Sequence, residues 1–210
     1  MTGAQALTML MARLNRTNTT LRANALLEMI LYQNTVLEKG TVLPDFLYTF
    51  DTTIALAADN RRFTLPSDFL REDDEDETLW ILDDDSEYQP MTKVGFDDTE
   101  FERTETGDLP LKYAIRGLYG YTFPIPTEAR TLKINYYAAG AVIADDSVET
   151  VWLKYASDLI IGGAGTIVNA LYVRDNEAAV AFAAMEARGL KRLLDEQTAR
   201  AEAGRSRRMG

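Results

Sequence analysis

Residues 110–137, PLKYAIRGLYGYTFPIPTEARTLKINYY, contain three short runs with the pattern of β-strands, separated by turns rich in Gly and Pro. In the first run, 112–118, and in the third, 130–138, side chains of different character alternate, which is typical of a strand with one buried face. The second run ends at Pro124 and Pro126, which cannot donate hydrogen bonds within a sheet. The three runs predict a three-stranded meander.

Two helices are predicted near the start of the chain. The first covers residues 4–14, and the second is capped by Thr17 or Asn18 and runs to Lys39, before Gly40. In the second helix, mostly apolar side chains recur at helical spacing, so we expect them to form its inward face. This face consists of Leu27, Ile30, Leu31, Asn34 and Leu37.

The segment between these helices and the meander has short β-type runs. Runs 46–50 and 61–65 flank a turn signal at 58–60, which predicts a β-hairpin. A further strand is predicted at 78–82, and one or two helical turns at 96–103.

Helical patterns return after the meander. Asp146 or Ser147 is predicted to cap a helix that reaches Tyr172, with Glu149 completing a capping box. Asp175 or Asn176 begins the last helix. The apolar stripe of the first helix is Val148, Trp152, Tyr155 and Leu159, and that of the last is Phe182, Met185, Gly189, Leu190 and Leu193.

This order of elements predicts an α+β fold, in which the N- and C-terminal helices form a helical bundle with a central antiparallel β-rich insertion. We expect one compact domain with four segments. They are N-terminal helices over 1–44, a β-rich middle with acidic loops over 45–145, a C-terminal helical hairpin over 146–199 and a flexible basic tail over 200–210.

The composition excludes several classes of chemistry. The 210 residues include no cysteine and no histidine, which removes disulfides, thiolate zinc sites, imidazole ligands and Ser-His-Asp catalysis. No apolar run approaches the roughly 20 residues that would span a bilayer, so we expect a soluble, non-exported chain with no membrane partner. We assign no cofactor and no metal.

The formal net charge of −11 is concentrated in one segment. Residues 68–87 contain eleven acidic side chains and one basic side chain, Arg71. Because affinity for duplex DNA comes from clustered Lys and Arg, such a chain should contact DNA only weakly.

The acidic residues allow more than one interpretation. Their spacing does not match a calcium-binding EF-hand loop, so solvated loops are favoured over a metal site. Repeated around a ring, the loops would instead create a field that keeps passing DNA from sticking. The candidate residues, on a channel or on an outer surface, are Asp73, Asp74, Asp83, Asp84 and Asp85.

Paired carboxylates such as Glu72 and Asp76 resemble the acid and base of a glycosidase. That chemistry needs one carboxyl group in an apolar pocket that raises its pKa. Here both residues lie in a polar, acidic run, which favours a surface position. We assign no catalytic residue.

The run Gly162-Gly163-Ala164-Gly165 lies inside a predicted helix and lacks the Lys-Ser or Lys-Thr of a phosphate-binding loop. Three glycines in a helix cost about 1 kcal/mol each relative to alanine. We expect close packing against another helix to offset this cost, with a bend as the alternative. Gly162, Gly163, Gly165 and Trp152 are therefore predicted helix-packing residues, and the neighbour lies in the same chain or in the next subunit.

The tail carries four basic residues and Glu202, a net charge of +3 in an acidic protein. Composition alone leaves open an interaction arm or a solvated terminus. The basic residues are Arg200, Arg205, Arg207 and Arg208.

Four features follow one another along the chain. They are an early helical pair, the "LPSDFL" turn at 65–70, the tyrosine-rich meander with its Pro-Ile-Pro exit, and Trp152 at the start of two Ala-rich helices. In this respect the chain, over about residues 17–197, resembles the head-tail adaptor proteins of tailed bacteriophages, also called head-completion or connector proteins. The resemblance implies a structural virion protein without enzymatic activity.

In that role the chain would form a ring of twelve copies under the portal protein and connect the capsid to the tail. The resemblance also implies docking of the C-terminal tail on the portal, contacts with tail-side neck or tail proteins, and transient non-specific passage of double-stranded DNA. The location would be the virion neck, assembled in the bacterial cytoplasm.

Three alternatives stay open at this point. One is a different neck protein, such as a stopper or tail-completion protein. Another is a metal-binding module or carboxylate enzyme that uses the acidic loops, and the third is a non-viral bacterial interaction domain.

Overall fold

The computed structural model describes the backbone of residues 1–40, 43–72, 78–96 and 105–208, and the side chains of these segments up to residue 199. The chain divides into two compact units. A helical unit contains residues 1–47 and 140–210, and a β unit contains residues 48–139. The α+β class predicted from the sequence is confirmed.

The helical unit is built from segments at both ends of the chain. Its α-helices are α1 (Gly3–Arg13), α2 (Thr19–Leu31), α3 (Val151–Tyr155), α4 (Ser157–Val168) and α5 (Asn176–Arg208). Two π-helical turns, Tyr32–Leu37 and Asn169–Val173, extend α2 and α4, and Asp45–Leu47 forms a 3-10 turn. The apolar helix α4 is central, because it packs against α1, α2, α3 and α5.

Local capping explains where several helices begin. Thr2 and Gln5 form a capping box at α1, and the Asn18 side chain accepts hydrogen bonds from the backbone N–H groups of Thr20 and Leu21. Asp175 accepts from the first turn of α5. The predicted starts of α2 and α5 are therefore confirmed.

The described part of the β unit contains β1 (Tyr48–Leu56), β2 (Arg62–Thr64), β3 (Phe69–Arg71), β4 (Leu79–Leu82), β5 (Tyr88–Pro90), β6 (Thr92–Lys93), β7 (Thr106–Gly107), β8 (Lys112–Arg116), β9 (Tyr119–Phe123), β10 (Ile125–Pro126) and β11 (Arg130–Ala138). One sheet has the order β1-β11-β4-β5, with β3 also paired to β11, and a second has the order β2-β9-β8-β6. These pairs are antiparallel except for β6 with β8. Strands β7 and β10 form a small parallel pair.

Strand β11 supplies much of the core of the β unit. Its alternation buries Leu132, Ile134 and Tyr136, as predicted, against Leu79 and Ile81 of β4 and other apolar side chains.

The predicted meander is only partly correct. Strands β8 and β9 pair as a hairpin, but β11 belongs to the other sheet. After β9 the chain passes through β10, which pairs with β7, and so leaves the β9 edge before β11 begins. The predicted hairpin of 46–50 and 61–65 is wrong, because β1 pairs with β11 and β2 pairs with β9.

The predicted inward face of α2 is also wrong. Leu27 and Leu31 are exposed, whereas Ala25, Met29 and Tyr32 are buried. The reason is tertiary: α4 offers a recess for the Tyr32 ring at Gly163, and this contact sets which side of α2 faces inward.

The helix predicted to begin at Asp146 or Ser147 begins at Val151 instead. Thr150 caps it, because the Thr150 hydroxyl accepts a hydrogen bond from the backbone N–H of Leu153. The carbonyls of Asp146 and Val148 accept hydrogen bonds from backbone N–H groups at the start of α1, so they are not available for the hydrogen bonds of a helix.

A break at Ala156 (φ −135°, ψ 35°) separates α3 from α4 and changes the helical phase. Of the predicted stripe, Trp152 and Leu159 are buried and Tyr155 is exposed, and Val148, which lies before the start of α3, is exposed too.

Helix α5 continues to Arg208, so the backbone of 200–208 is helical where the sequence predicted a flexible tail. Its predicted apolar stripe is buried at Phe182, Met185, Gly189 and Leu193, but Leu190 is exposed. The helical turns predicted at 96–103 fall almost entirely outside the described residues. None of the described helices has the length and apolar character needed to cross a membrane.

Candidate interaction surfaces

The glycines of α4 lie where α5 approaches its backbone. A Cβ atom placed on Gly162 would lie 2.4 Å from the backbone N of Glu186, and one on Gly165 would lie 2.3 Å from Cδ1 of Phe182. Because atoms in a packed protein interior do not approach this closely, only glycine fits at these two positions.

Two other glycines complete this close packing within the chain. A Cβ atom on Gly163 would lie 2.0 Å from Cζ of Tyr32, and one on Gly189 of α5 would lie 2.6 Å from the backbone N of Leu159. The Tyr32 hydroxyl donates a 2.6 Å hydrogen bond to Glu186. Burial of the hydroxyl is the larger cause that raises the pKa of Tyr32, and the hydrogen bond to Glu186 raises it further. Helices α2, α4 and α5 are thus joined by apolar and polar contacts.

Trp152 is buried beside a carboxylate that the sequence did not single out. The Oε1 atom of Glu38 accepts hydrogen bonds from Trp152 Nε1 (2.9 Å), the backbone N of Gly140 (2.9 Å) and Gln33 Nε2 (3.0 Å). Phe46 packs edge-on against the Trp152 ring at 5.1 Å between centroids. We call Glu38, Gln33, Gly140 and Trp152 the Glu38 cluster.

Sequence reasoning missed Glu38 and Gln33 because a Glu next to Lys39 has the pattern of a solvated helix end. The π-helical turn changes the phase of α2 there and turns both side chains inward. The amide of Gln33 also donates to the carbonyls of Gly140 and Ala141, and its Oε1 has no hydrogen-bond partner among the described residues.

The turn between β4 and β5 is the acidic loop that contains Asp83, Asp84 and Asp85. One Asp83 carboxylate oxygen accepts hydrogen bonds from the backbone N–H groups of Asp85 (3.0 Å) and Glu87 (2.8 Å), and the other accepts from Gln89 Nε2 (2.8 Å). Asp84 forms an ion pair with Arg130, and Asp85 is exposed. Asp83 therefore holds the turn in shape, and the three aspartates do not converge on a common point in the way metal ligands would.

Replacing Asp83 with alanine should lower the melting temperature of the protein, because the turn loses its hydrogen-bond acceptor. The backbone N–H of Glu87, then Gln89, holds the pKa of Asp83 below its ordinary value of 3.8. A carboxyl group whose pKa is lowered on folding stabilises the protein above that ordinary value and loses this effect as the pH falls. The difference in melting temperature between wild type and Asp83→Ala, measured by circular dichroism, should therefore shrink below pH 3.8.

Asp85→Ala is the matched control, because its charge is in the same turn but its carboxylate makes no turn-forming bond in the described part of the chain. We expect no loss of melting temperature for this variant. Equal losses for both variants would mean that the charge of the loop matters and the geometry of Asp83 does not.

Glu72, predicted to lie on the surface, is buried. It accepts a 2.6 Å hydrogen bond from the Tyr113 hydroxyl and pairs with Lys93 Nζ at 2.6 Å. Burial, and then the bond to Glu72, raise the pKa of Tyr113. The cation and the hydroxyl together compensate the buried charge, which makes Glu72 part of the core of the β unit.

The other candidate residues are acidic residues of the run 68–87 and the arginines of the tail. Asp73, Asp74 and Asp76 lie outside the described residues, and within the described ones no group of three or more Asp or Glu side chains is placed to hold a metal ion. Arg200, Arg205, Arg207 and Arg208 lie on the last turns of α5, where only the backbone is described.

The two units differ in charge. The helical unit has 13 basic and 13 acidic residues, and the β unit has 9 basic and 20 acidic residues. The formal net charge of −11 therefore belongs entirely to the β unit.

Closely packed helices in one unit and antiparallel sheets in the other place the chain in the α+β class of proteins. The chain belongs to the SU10 adaptor protein family, which it matches over residues 1–210. This is a family of phage head-tail adaptors, so the resemblance noted from the sequence is confirmed and extends over the whole chain. No curated protein matches the chain.

Membership implies a structural, non-enzymatic role at the virion neck. It also implies interaction with phage portal and tail proteins.

Proposed function

We propose that this protein is the head-to-tail adaptor of a phage or prophage, and that twelve copies form a ring under the portal that connects the capsid to the tail. The observation that carries the proposal is the family match over residues 1–210. In the ring, helices from both ends of the chain form the bundles that pack side by side, and the chains assemble in the bacterial cytoplasm.

In this proposal the basic end of α5 docks on the portal. Arg200, Arg205, Arg207 and Arg208 give residues 200–210 a net charge of +3. Arginine suits such a contact because its planar guanidinium can form paired hydrogen bonds with a carboxylate. Gly162 and Gly165 support this contact indirectly, because they let α5 pack closely against α4. Trp152 and Gly163 pack elsewhere in the helical unit, against Phe46 and Tyr32.

Double-stranded DNA passes through the centre of the ring without being bound. The net charge of −11 on the β unit supports this part of the proposal, because repulsion from phosphate groups keeps contacts with DNA transient. The acidic loops contribute to that charge whether they lie on the channel or on an outer surface, through Asp73, Asp74, Asp83, Asp84 and Asp85.

Ending the chain after Ala199 should abolish binding to the portal encoded in the same genome, because the arginines and their charge are lost. Cryo-electron microscopy of the portal mixed with either chain measures this directly as ring decoration. A second variant with the four arginines replaced by lysine keeps the charge and removes paired hydrogen bonding, so we expect weaker decoration.

Circular dichroism shows whether the shortened chain is folded. If the shortened chain decorated the portal as fully as the full-length chain does, docking through the arginines would be contradicted. Binding of the full chain to isolated tails and not to the portal would favour a stopper or tail-completion protein instead.

A further inference from the structure

Helix α5 has a second apolar face besides the one that packs on α4. The residues of this face follow one another at alternating intervals of three and four, and all are exposed. They are Val180, Ala183, Ala187, Leu190 and Leu194. The exposed fractions are 71% for Val180, 46% for Leu190 and 42% for Leu194. We call these five residues the α5 seam. Its 3-4 spacing is that of helices that pack against another helix along a coiled-coil seam.

Helix α2 also leaves an apolar face uncovered. Leu27 is 51% exposed and Leu31 is 41% exposed, and on the same side of the helix Ala23 is exposed and Ile30 is half-buried. We call these four residues the α2 face. They include most of the apolar side chains that sequence periodicity predicted to be inward, so the described part of the chain leaves much of the expected packing face exposed.

The charge distribution indicates what covers these faces. The helical unit has no formal net charge, because it contains 13 basic and 13 acidic residues. The β unit, at −11, would repel a copy of itself. Of the two units, the helical one is therefore suited to contact a second copy of this chain.

We propose that the α5 seam of one copy packs against the α2 face of the next copy. The two faces differ, so this contact is head-to-tail and leaves each copy with one open face, which lets it propagate and close into a ring. Pairing of α5 with α5 would end at two copies and leave the α2 face in water. The inference deepens the proposed function, because it names the surfaces that join neighbouring subunits of the ring.

The absence of cysteine from the chain makes a direct test available. Leu27→Cys, Leu190→Cys and the double variant are each treated with a bismaleimide that spans two packed helices, whose axes lie roughly 10 Å apart. The treatment is applied to the concentrated free chain and to the chain mixed with portal, and products are separated by denaturing electrophoresis. Leu118→Cys, on an exposed turn of the β unit, is the matched control.

We expect a ladder of multimers from the double variant, dimers only from a mixture of the two single variants, and no linked product from either single variant alone. Adding Leu194→Glu to the double variant should abolish the ladder, while circular dichroism shows the fold is kept. Efficient dimers from Leu190→Cys alone, or no ladder from the double variant in either sample, would overturn the inference. If the chain binds the portal but gives no ladder, only this inference is contradicted. If it gives a ladder but does not bind the portal, only the proposed function is contradicted.

Discussion

Gly162→Ala is expected to destabilise the protein, although alanine is the better helix former by about 1 kcal/mol. The new Cβ atom would lie 2.4 Å from the backbone N and 2.8 Å from the Cα of Glu186, and backbone atoms cannot rotate away as a side chain can. Helices α4 and α5 would have to separate, so we expect the free energy of unfolding to fall by about 2 kcal/mol. Urea denaturation followed by circular dichroism of the helices measures this change.

Gly95→Ala is the control for this experiment. No atom of the described residues lies within 4 Å of the position of a Cβ atom on Gly95, so alanine there should leave the stability unchanged or raise it slightly. A Gly162→Ala variant as stable as wild type would mean that the α4 and α5 backbones are further apart than the structure places them.

Glu38→Ala is expected to have a larger effect. It leaves Trp152 Nε1, the backbone N of Gly140 and the amide of Gln33 without their shared acceptor in a buried site. Each unsatisfied donor costs about 1–3 kcal/mol, so we expect a loss of about 4 kcal/mol in the free energy of unfolding. The same denaturation experiment measures the loss. With Trp80, the other tryptophan of the chain, replaced by phenylalanine in both proteins, the fluorescence of the buried Trp152 reports separately on the cluster.

Glu38→Gln separates the role of the acceptor from that of the charge. The glutamine carbonyl oxygen can still accept the three hydrogen bonds, and we expect a loss of about 1 kcal/mol because these bonds no longer involve an ionised group. If Glu38→Ala and Glu38→Gln were equally destabilising, the negative charge would be the important property of Glu38.

Local sequence patterns predicted the type of many elements correctly. Asn18 and Asp175 have side chains that satisfy free N–H groups at a helix start, so the starts of α2 and α5 could be found from the sequence. Period-2 alternation likewise identified the buried face of β11. These features depend on neighbouring residues, which is why they can be read without knowing the fold.

The interaction surfaces were harder to predict. The glycine run of α4 was recognised as a packing feature because glycines inside a helix need a compensating contact, but its partners Tyr32, Phe182 and Glu186 could not be named. The burial of Glu72 was missed because its partner Tyr113 is 41 residues away in the chain. Acidic neighbours in the sequence carry no information about such a contact.

The sequence alone determined the α+β class, the placement of helices at both ends and strands between them, and the exclusion of thiol and imidazole chemistry. Tertiary structure decided which strand β11 pairs with, which side of α2 faces inward and that Glu38 is buried. The physical reason is that backbone propensity, capping and periodicity act over a few residues. Pairing partners and burial depend on which distant segments supply a complementary surface.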